Sequence, residues 1–315
     1  MGRGFGTAAA VGTAYQGLGW DEATTLGFTS ATVGVAVCIV GGLALTKWGT
    51  KAGKTGILGD SDRLPEELRT GLVSREEDRE NIGKATISPA SIEPLAFSLC
   101  LVLAATMGGY YLAELGGTLL SGIVIPSFAT AFVVGLALRA VLTRTGAGHY
   151  IDRPTLRGIT GSTTDFLIAF GIASIIPSIV AQYAVPLVLL LLFGLVYCLL
   201  LFRYLTPRMF SEYWFEKGIF TWGWATASVA TGIALLRIVD PKLESETLED
   251  FGVAYLGFAP VEIAVTTFAP FIVAFGFAWA FIGGSLLAGV GVIVLAGFMG
   301  WMVTGGGAPA RSERP

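Results

Sequence analysis

The sequence predicts an all-α integral membrane protein of the inverted-repeat secondary-transporter class, with two re-entrant hairpins and about seven spanning helices. Three observations predict it. Of 315 residues, 53% are hydrophobic and only 14% charged, where a soluble domain is about 25% charged; mean hydropathy is +0.70. Apolar runs of about 20 residues recur, the length a hydrocarbon core of roughly 30 Å demands. Two stretches, Gly4-Phe5-Gly6-Thr7-Ala8-Ala9-Ala10-Val11-Gly12-Thr13 and Glu216 to Leu236, are apolar but too rich in small residues for plain helices. Two broken segments in corresponding places point to a carrier's binding site.

The elements follow in order. Residues 1–24 form the first hairpin, 25–46 a span, and 47–90 a cytoplasmic loop of mixed charge with one short surface helix. Residues 91–205 hold four spans: 91–115, a turn at Gly116-Gly117, 118–142, the basic loop 143–161, 162–184 and 185–205. The second hairpin occupies 206–240, where Gly218 and Gly223 weaken the helix and Trp222 and Trp224 flank Gly223. A polar linker, 240–250, leads to two spans in 251–303, turning near Gly276 or Gly283-Gly284, and 304–315 is a tail. If the second hairpin enters and leaves on one side, every Lys and Arg except Arg3 falls on or beside one face, as cytoplasmic loops require. By the same parity the first hairpin dips from the opposite face.

Other classes lack their parts. A net charge of −3 without a basic patch excludes nucleic acid as a partner. Cys38, Cys100 and Cys198 lie in apolar runs without metal-ligand spacing, and His149 is the only histidine; no metal beyond a coupling ion is expected, and no cofactor. The first apolar run follows Asp21 and Glu22, unlike a signal peptide. An intramembrane hydrolase would need paired acids, a Ser/His dyad or clustered metal ligands.

The chain resembles the sodium/glutamate symporter family. Gly4-Phe5-Gly6-Thr7-Ala8-Ala9 is similar to that family's Gly-His-Gly-Thr-Gly/Ala-Ala pattern, with Phe5 in place of the histidine. Gly218, Gly223 and Ala225-Thr226 are similar to its Gly-rich second hairpin, with Thr221 where another glycine stands. The order of elements matches over nearly the whole length. The resemblance implies a plasma-membrane, multi-pass homodimer that imports L-glutamate with Na⁺ and is not an enzyme. The spans that precede the family's first hairpin are absent, which sets a gene fragment, a misplaced start or half of a split protein beside the intact carrier. The missing histidine leaves related small acidic amino acids or carboxylates open as substrates, and H⁺ remains the alternative coupling ion.

Hairpins in a membrane leave backbone groups without helical partners, tolerated only where protein or a watery cavity surrounds them. Carbonyls and Thr hydroxyls suit Na⁺, and half-helix N-termini suit a carboxylate. The substrate candidates are Gly4, Phe5, Gly6 and Thr7 with Thr221, Trp222, Gly223, Trp224 and Thr226; the alternative is close packing by small residues. The two tryptophans and Phe5 either wall the ligand site or fill space against a neighbouring helix. Glu262, about a dozen residues beyond Asp250, is a mid-membrane carboxylate and hence a candidate ion ligand. Thr266 lies one turn away, between Pro260 and Pro270; the alternative is a protonated Glu262 bonded to a carbonyl. Asp165 is a weaker ion candidate, read more simply as an acid at a helix N-terminus. Ser174, Ser178 and Gln182 share one helix face. Arg153, Arg157 and Arg237 serve topology or attract an anion at the inner mouth.

Overall fold

The computed structural model describes residues 4–57, 72, 76, 81–119, 125 and 127–302. Every regular element among them is helical. In chain order they are α1 (Gly4–Gly17), α2 (Ala23–Lys51), α3 (Pro94–Leu119), α4 (Ser127–Arg144), α5 (Arg153–Ala173), α6 (Pro177–Gln182), α7 (Ala184–Leu200), α8 (Trp214–Thr226), α9 (Val229–Val239), α10 (Thr247–Ile272) and α11 (Ala278–Phe298). A wider turn, Leu201–Leu205, and a last turn, Thr206–Met209, prolong α7.

Five helical stretches are long and apolar enough to cross a membrane: Ala23–Lys51, Pro94–Leu119, Ser127–Arg144, Ala184–Met209 and Thr247–Phe298. Two expectations change the count from seven. The expected span 162–184 is not one helix. Asp152 caps α5 by accepting from the Thr155 amide at 3.0 Å, Pro154 follows in its first turn, and the helix stops at Ala173. The chain then breaks before Pro177 starts α6, as a residue preceding proline is pushed out of the helical region. Ser174, Ser178 and Gln182 therefore do not share one helix face, and Arg153 and Arg157 sit in the first turns of α5 rather than in a loop. In the last region the chain bends at Gly276, whose φ of +88° only glycine adopts cheaply. Beyond it α11 packs little on α10, so the expected turn is a bend in a 52-residue stretch. Gly116-Gly117 does not turn the chain either, since α3 runs through both to Leu119.

Glycine decides where helices touch. A Cβ on Gly109 of α3 would sit 2.3 Å from the Ala131 Cα of α4, and Thr130 donates to the Gly109 carbonyl at 2.6 Å. That close approach joins α3 and α4 into one antiparallel pair. On α2, Gly41 faces Trp222, Gly42 faces Leu235, and Gly49 faces Phe215. One glycine stripe thus receives three bulky side chains of α8 and α9, in the manner of small-residue helix packing. The main core is this contact, with Cys38, Phe215, Ile219, Leu236 and Val239 fully enclosed.

The stretch Glu216 to Leu236 is broken as expected. α8 ends at Thr226, Ser228 is extended, and α9 starts at Val229. Ser228 and Thr231 form a reciprocal capping box, each side chain bonding the other's backbone N–H. The halves fold back on each other: a Cβ on Gly223 would meet the Gly232 Cα at 2.5 Å and its nitrogen at 2.8 Å. The feet of this hairpin carry the three non-glycine residues with positive φ among the described residues: Tyr213 before α8, and Leu243 and Glu246 after α9. The first hairpin expected over 1–24 is not broken in its described part: α1 is one unbroken helix despite Gly6 and Gly12, and the chain returns at Gly19 into α2, along which α1 packs. The tail 304–315 and the expected surface helix of loop 47–90 lie outside the described residues.

Backbone cannot yield at the Gly223–Gly232 contact. Gly223→Val should cost about 1–3 kcal/mol, the usual range for overpacking, read as a lower Tm of the detergent-solubilised chain. Gly284→Ala, with nothing within 4 Å of its Cβ, should leave the Tm unchanged or slightly raised; equal losses for both would mean that the seam is not tight.

Candidate substrate and ion site

The two glycine-rich stretches meet end to end. A Cβ on Gly4, at the start of α1, would lie 3.4 Å from the Ala227 carbonyl oxygen and 4.0 Å from the Ser228 Cβ. The start of α1 therefore abuts the α8–α9 break. Two helix N-termini converge there, α1 at Gly4 and α9 at Val229. The leading N–H groups of any helix have no acceptor inside it; in α9 the capping box satisfies Thr231, and Val229 and Ala230 fill the first two helical positions ahead of it. The Gly223 carbonyl is taken: the amides of Ala227 and Ser228 and the Thr231 hydroxyl donate to it at 3.0, 3.2 and 3.4 Å, and the Cys38 thiol lies 3.8 Å away.

The other candidates separate into groups. Thr7 lies one turn beyond Gly4. Phe5, 4% exposed, stacks on Phe28 at 5.9 Å and presses on Gly171 of α5. Trp222, 2% exposed, wedges against Gly41, and its indole N–H donates to the Cys38 carbonyl at 3.3 Å. For these two the space-filling alternative describes the geometry. Trp224 turns the other way, edge-on to Phe251 and Phe258 of α10 at 5.4 and 6.2 Å. It shares with Thr221, Lys217 and Asp250 the wall of a small cavity of about 150 Å³, where Lys217 and Asp250 pair at 2.6 Å. Thr226 is fully buried, and its hydroxyl donates to the Trp222 carbonyl at 2.7 Å; Thr221 donates likewise to Lys217. Neither hydroxyl hydrogen points to a ligand, though each oxygen keeps acceptor capacity.

Glu262 is half-buried near the middle of the 26-residue α10 and accepts from the Tyr255 hydroxyl at 3.0 Å. It lies one turn beyond Phe258, which contacts Trp224, so the carboxylate and the hairpin are linked through that ring. Thr266 follows one turn later, half-buried. Asp165 stands elsewhere. It is exposed in the middle of α5, and the acid at that helix's N-terminus is Asp152; the helix-start reading of Asp165 is thus corrected. Burial apart, Asp152 is held below the ordinary carboxylate range by the Thr155 hydroxyl and amide.

Two features escaped the sequence reading. Gly6, Ala10 and Thr13 of α1 border a cavity of about 670 Å³ that reaches Tyr110 and Glu114 of α3; Glu114 inside a spanning stretch was the available signal. The second is Glu216, 0% exposed at the start of α8 and outside the five spans. Its Oε1 accepts from the amides of Gly56 and Ile57 at 2.7 and 3.3 Å, tying the chain after α2 to the hairpin's foot. Its Oε2 has no hydrogen-bond partner among the described residues. No spacing rule finds such an acid, because its partners lie 160 residues away.

The sodium/glutamate symporter family model matches residues 1–216. The chain belongs to the sodium/glutamate symporter family. Neither a curated protein nor a solved structure matches the chain. The family match covers α1 to α7 and ends at Glu216, short of the nearly full length expected, so the Gly223 seam of this symporter-family chain lies beyond it. Membership and the five apolar stretches make this a multi-pass membrane protein of a transporter family, whose coupling ion is Na⁺.

Burial raises the Glu216 carboxyl above its ordinary value and nearby Asp240 adds to this, while the amides of Gly56 and Ile57 oppose it. The folded chain thus holds this proton more tightly than the unfolded one. The stability that depends on it is full below the unfolded pKa and is lost as pH rises through the folded one. In a Tm-versus-pH series, Glu216→Gln should lose this fall while keeping an acceptor for both amides. Glu216→Ala should be less stable at every pH, by about 1–3 kcal/mol per orphaned amide. Superimposable wild-type and Gln curves would show that Glu216 does not titrate there.

Proposed function

We propose that the chain is a Na⁺-coupled symporter that imports L-glutamate, or a similar small acidic amino acid or carboxylate, across the plasma membrane as a homodimer. The observation that carries this reading is the meeting of the α1 start with the α8–α9 break. Amides without helical acceptors and two positive dipole ends collect in one place, the arrangement that favours a carboxylate. Each helix end contributes about 0.3–1 kcal/mol when exposed and up to about 2 when partly buried, so several amides must act together. Gly4, Gly6 and Thr7 form the substrate end of this proposal, with Gly223 and Thr226 behind them shaping the hairpin that carries the break. Phe5 and Trp222 hold the helices that carry them, and Thr221 and Trp224 line the approach beside Lys217.

Glu262 supplies the negative charge for the coupling ion, with Thr266 as a neutral oxygen donor one turn away. Na⁺ is a hard cation and takes oxygen ligands of this type; H⁺ on Glu262 is the other way to neutralise it. Asp165, exposed on another helix, is the weakest of the three ion candidates. Alternating access then follows from rocking of one bundle against the other about the site.

Uptake of labelled glutamate into proteoliposomes should rise when an inward Na⁺ gradient is imposed. Uptake indifferent to Na⁺ would leave a carrier fold without the coupling. Glu262→Gln should lower the Na⁺-driven component by at least about ten-fold, the equivalent of 1.4 kcal/mol; unchanged Na⁺ dependence would remove Glu262 from the ion site.

A further inference from the structure

An apolar groove runs along the outer face of α2 and α7, enclosing about 550 Å³ and lined by Leu45, Trp48, Val196, Leu199, Leu200 and Arg203. Its two ends differ. Val196, Leu199 and Leu200 are exposed and aliphatic, and lie within the stretch Ala184–Met209 that is apolar enough to span. At the other end the exposed Arg203 guanidinium sits 5.7 Å above the Trp48 ring and 6.0 Å from the Tyr204 ring. No carboxylate pairs with Arg203 among the described residues, where the one ion pair is Lys217 with Asp250. Lys47, Lys51 and Arg208 are exposed near the same ends of the two helices, and no acid lines the groove. Trp and Tyr at one level, with Lys and Arg clustered there, mark a membrane–water interface on the basic side.

We propose that this groove binds an anionic phospholipid, with the headgroup phosphate on Arg203 and an acyl chain along Leu45, Val196, Leu199 and Leu200. Charge complementarity selects the occupant. A guanidinium presents a planar fork of donors that matches phosphate oxygens, and stacking on two rings holds it in place at the mouth of the groove. A zwitterionic lipid fills the apolar part equally well but brings a positive ammonium to a surface already carrying Lys47, Lys51 and Arg208. The contact staples α2, which carries the glycine stripe, to α7. Bound lipid should therefore stiffen the scaffold against which the hairpin is seated.

The test is native mass spectrometry and Tm measurement of the full chain in detergent, titrated with phosphatidylglycerol or phosphatidylcholine of matched acyl chains. Phosphatidylglycerol should bind the wild type and raise its Tm, and phosphatidylcholine should do so several-fold less. Arg203→Gln should weaken phosphatidylglycerol binding about five-fold or more, the size of one basic residue's attraction to an anionic surface, and leave phosphatidylcholine binding unchanged. Arg144→Gln, at the end of α4 and away from the groove, should match the wild type. Equal binding of both lipids by the wild type would reduce the site to an acyl-chain groove and overturn the proposal. So would Arg144→Gln losing as much as Arg203→Gln, because attraction would then be a property of total charge.

Discussion

The fold depends on how closely the α8–α9 hairpin can lie against α2. Three glycines on one face of α2 accept Trp222, Leu235 and Phe215, and a fourth contact, Gly223 on Gly232, closes the hairpin on itself. In a bilayer there is no hydrophobic gain in bringing two apolar helices together, so such contacts rest on shape and on short-range attraction. A side chain inserted at any of these glycines would push the hairpin outward. With it would go the Ala227 carbonyl that now faces Gly4, and so the meeting of the two helix starts.

The same geometry explains why the break falls at Ala227-Ser228 and not at a glycine. Gly218 and Gly223 lower the helix's own stability, but both lie inside α8 because packing needs them there. The end is written by Ser228 and Thr231, whose side chains satisfy each other's backbone. That leaves the hairpin tip free of bulky or charged groups and fills it with peptide dipoles.

Much of this was legible from the residues. Apolar run length found the five stretches long enough to span, because a bilayer sets a minimum length, but it started the span of α4 at 118, where α3 still runs and α4 begins only at Ser127. Of the two small-residue stretches, the second is broken and the first is a plain helix, α1; the start of α1 lies against the α8–α9 break. What composition does not show is direction. Phe5 and Trp222 sit beside the residues at the meeting point but point away from it, into Gly171 and Gly41. Period-based reading also passed over Pro177, so a helix was expected to run through a break, and it placed Asp165 at a helix start that Asp152 occupies. Glu216 was out of reach, since its role rests on two backbone amides 160 residues away in the chain.

The feet of the hairpin differ in character from its tip. Tyr213, Leu243 and Glu246 all hold left-handed backbone without glycine, a conformation that costs an L-residue of order 1 kcal/mol or more. That cost is met by the surrounding structure, including the buried Asp240 carboxylate, which grips the amides of Glu244 and Ser245. Backbone strain is thus gathered at the two roots of the hairpin and kept away from its glycine seam.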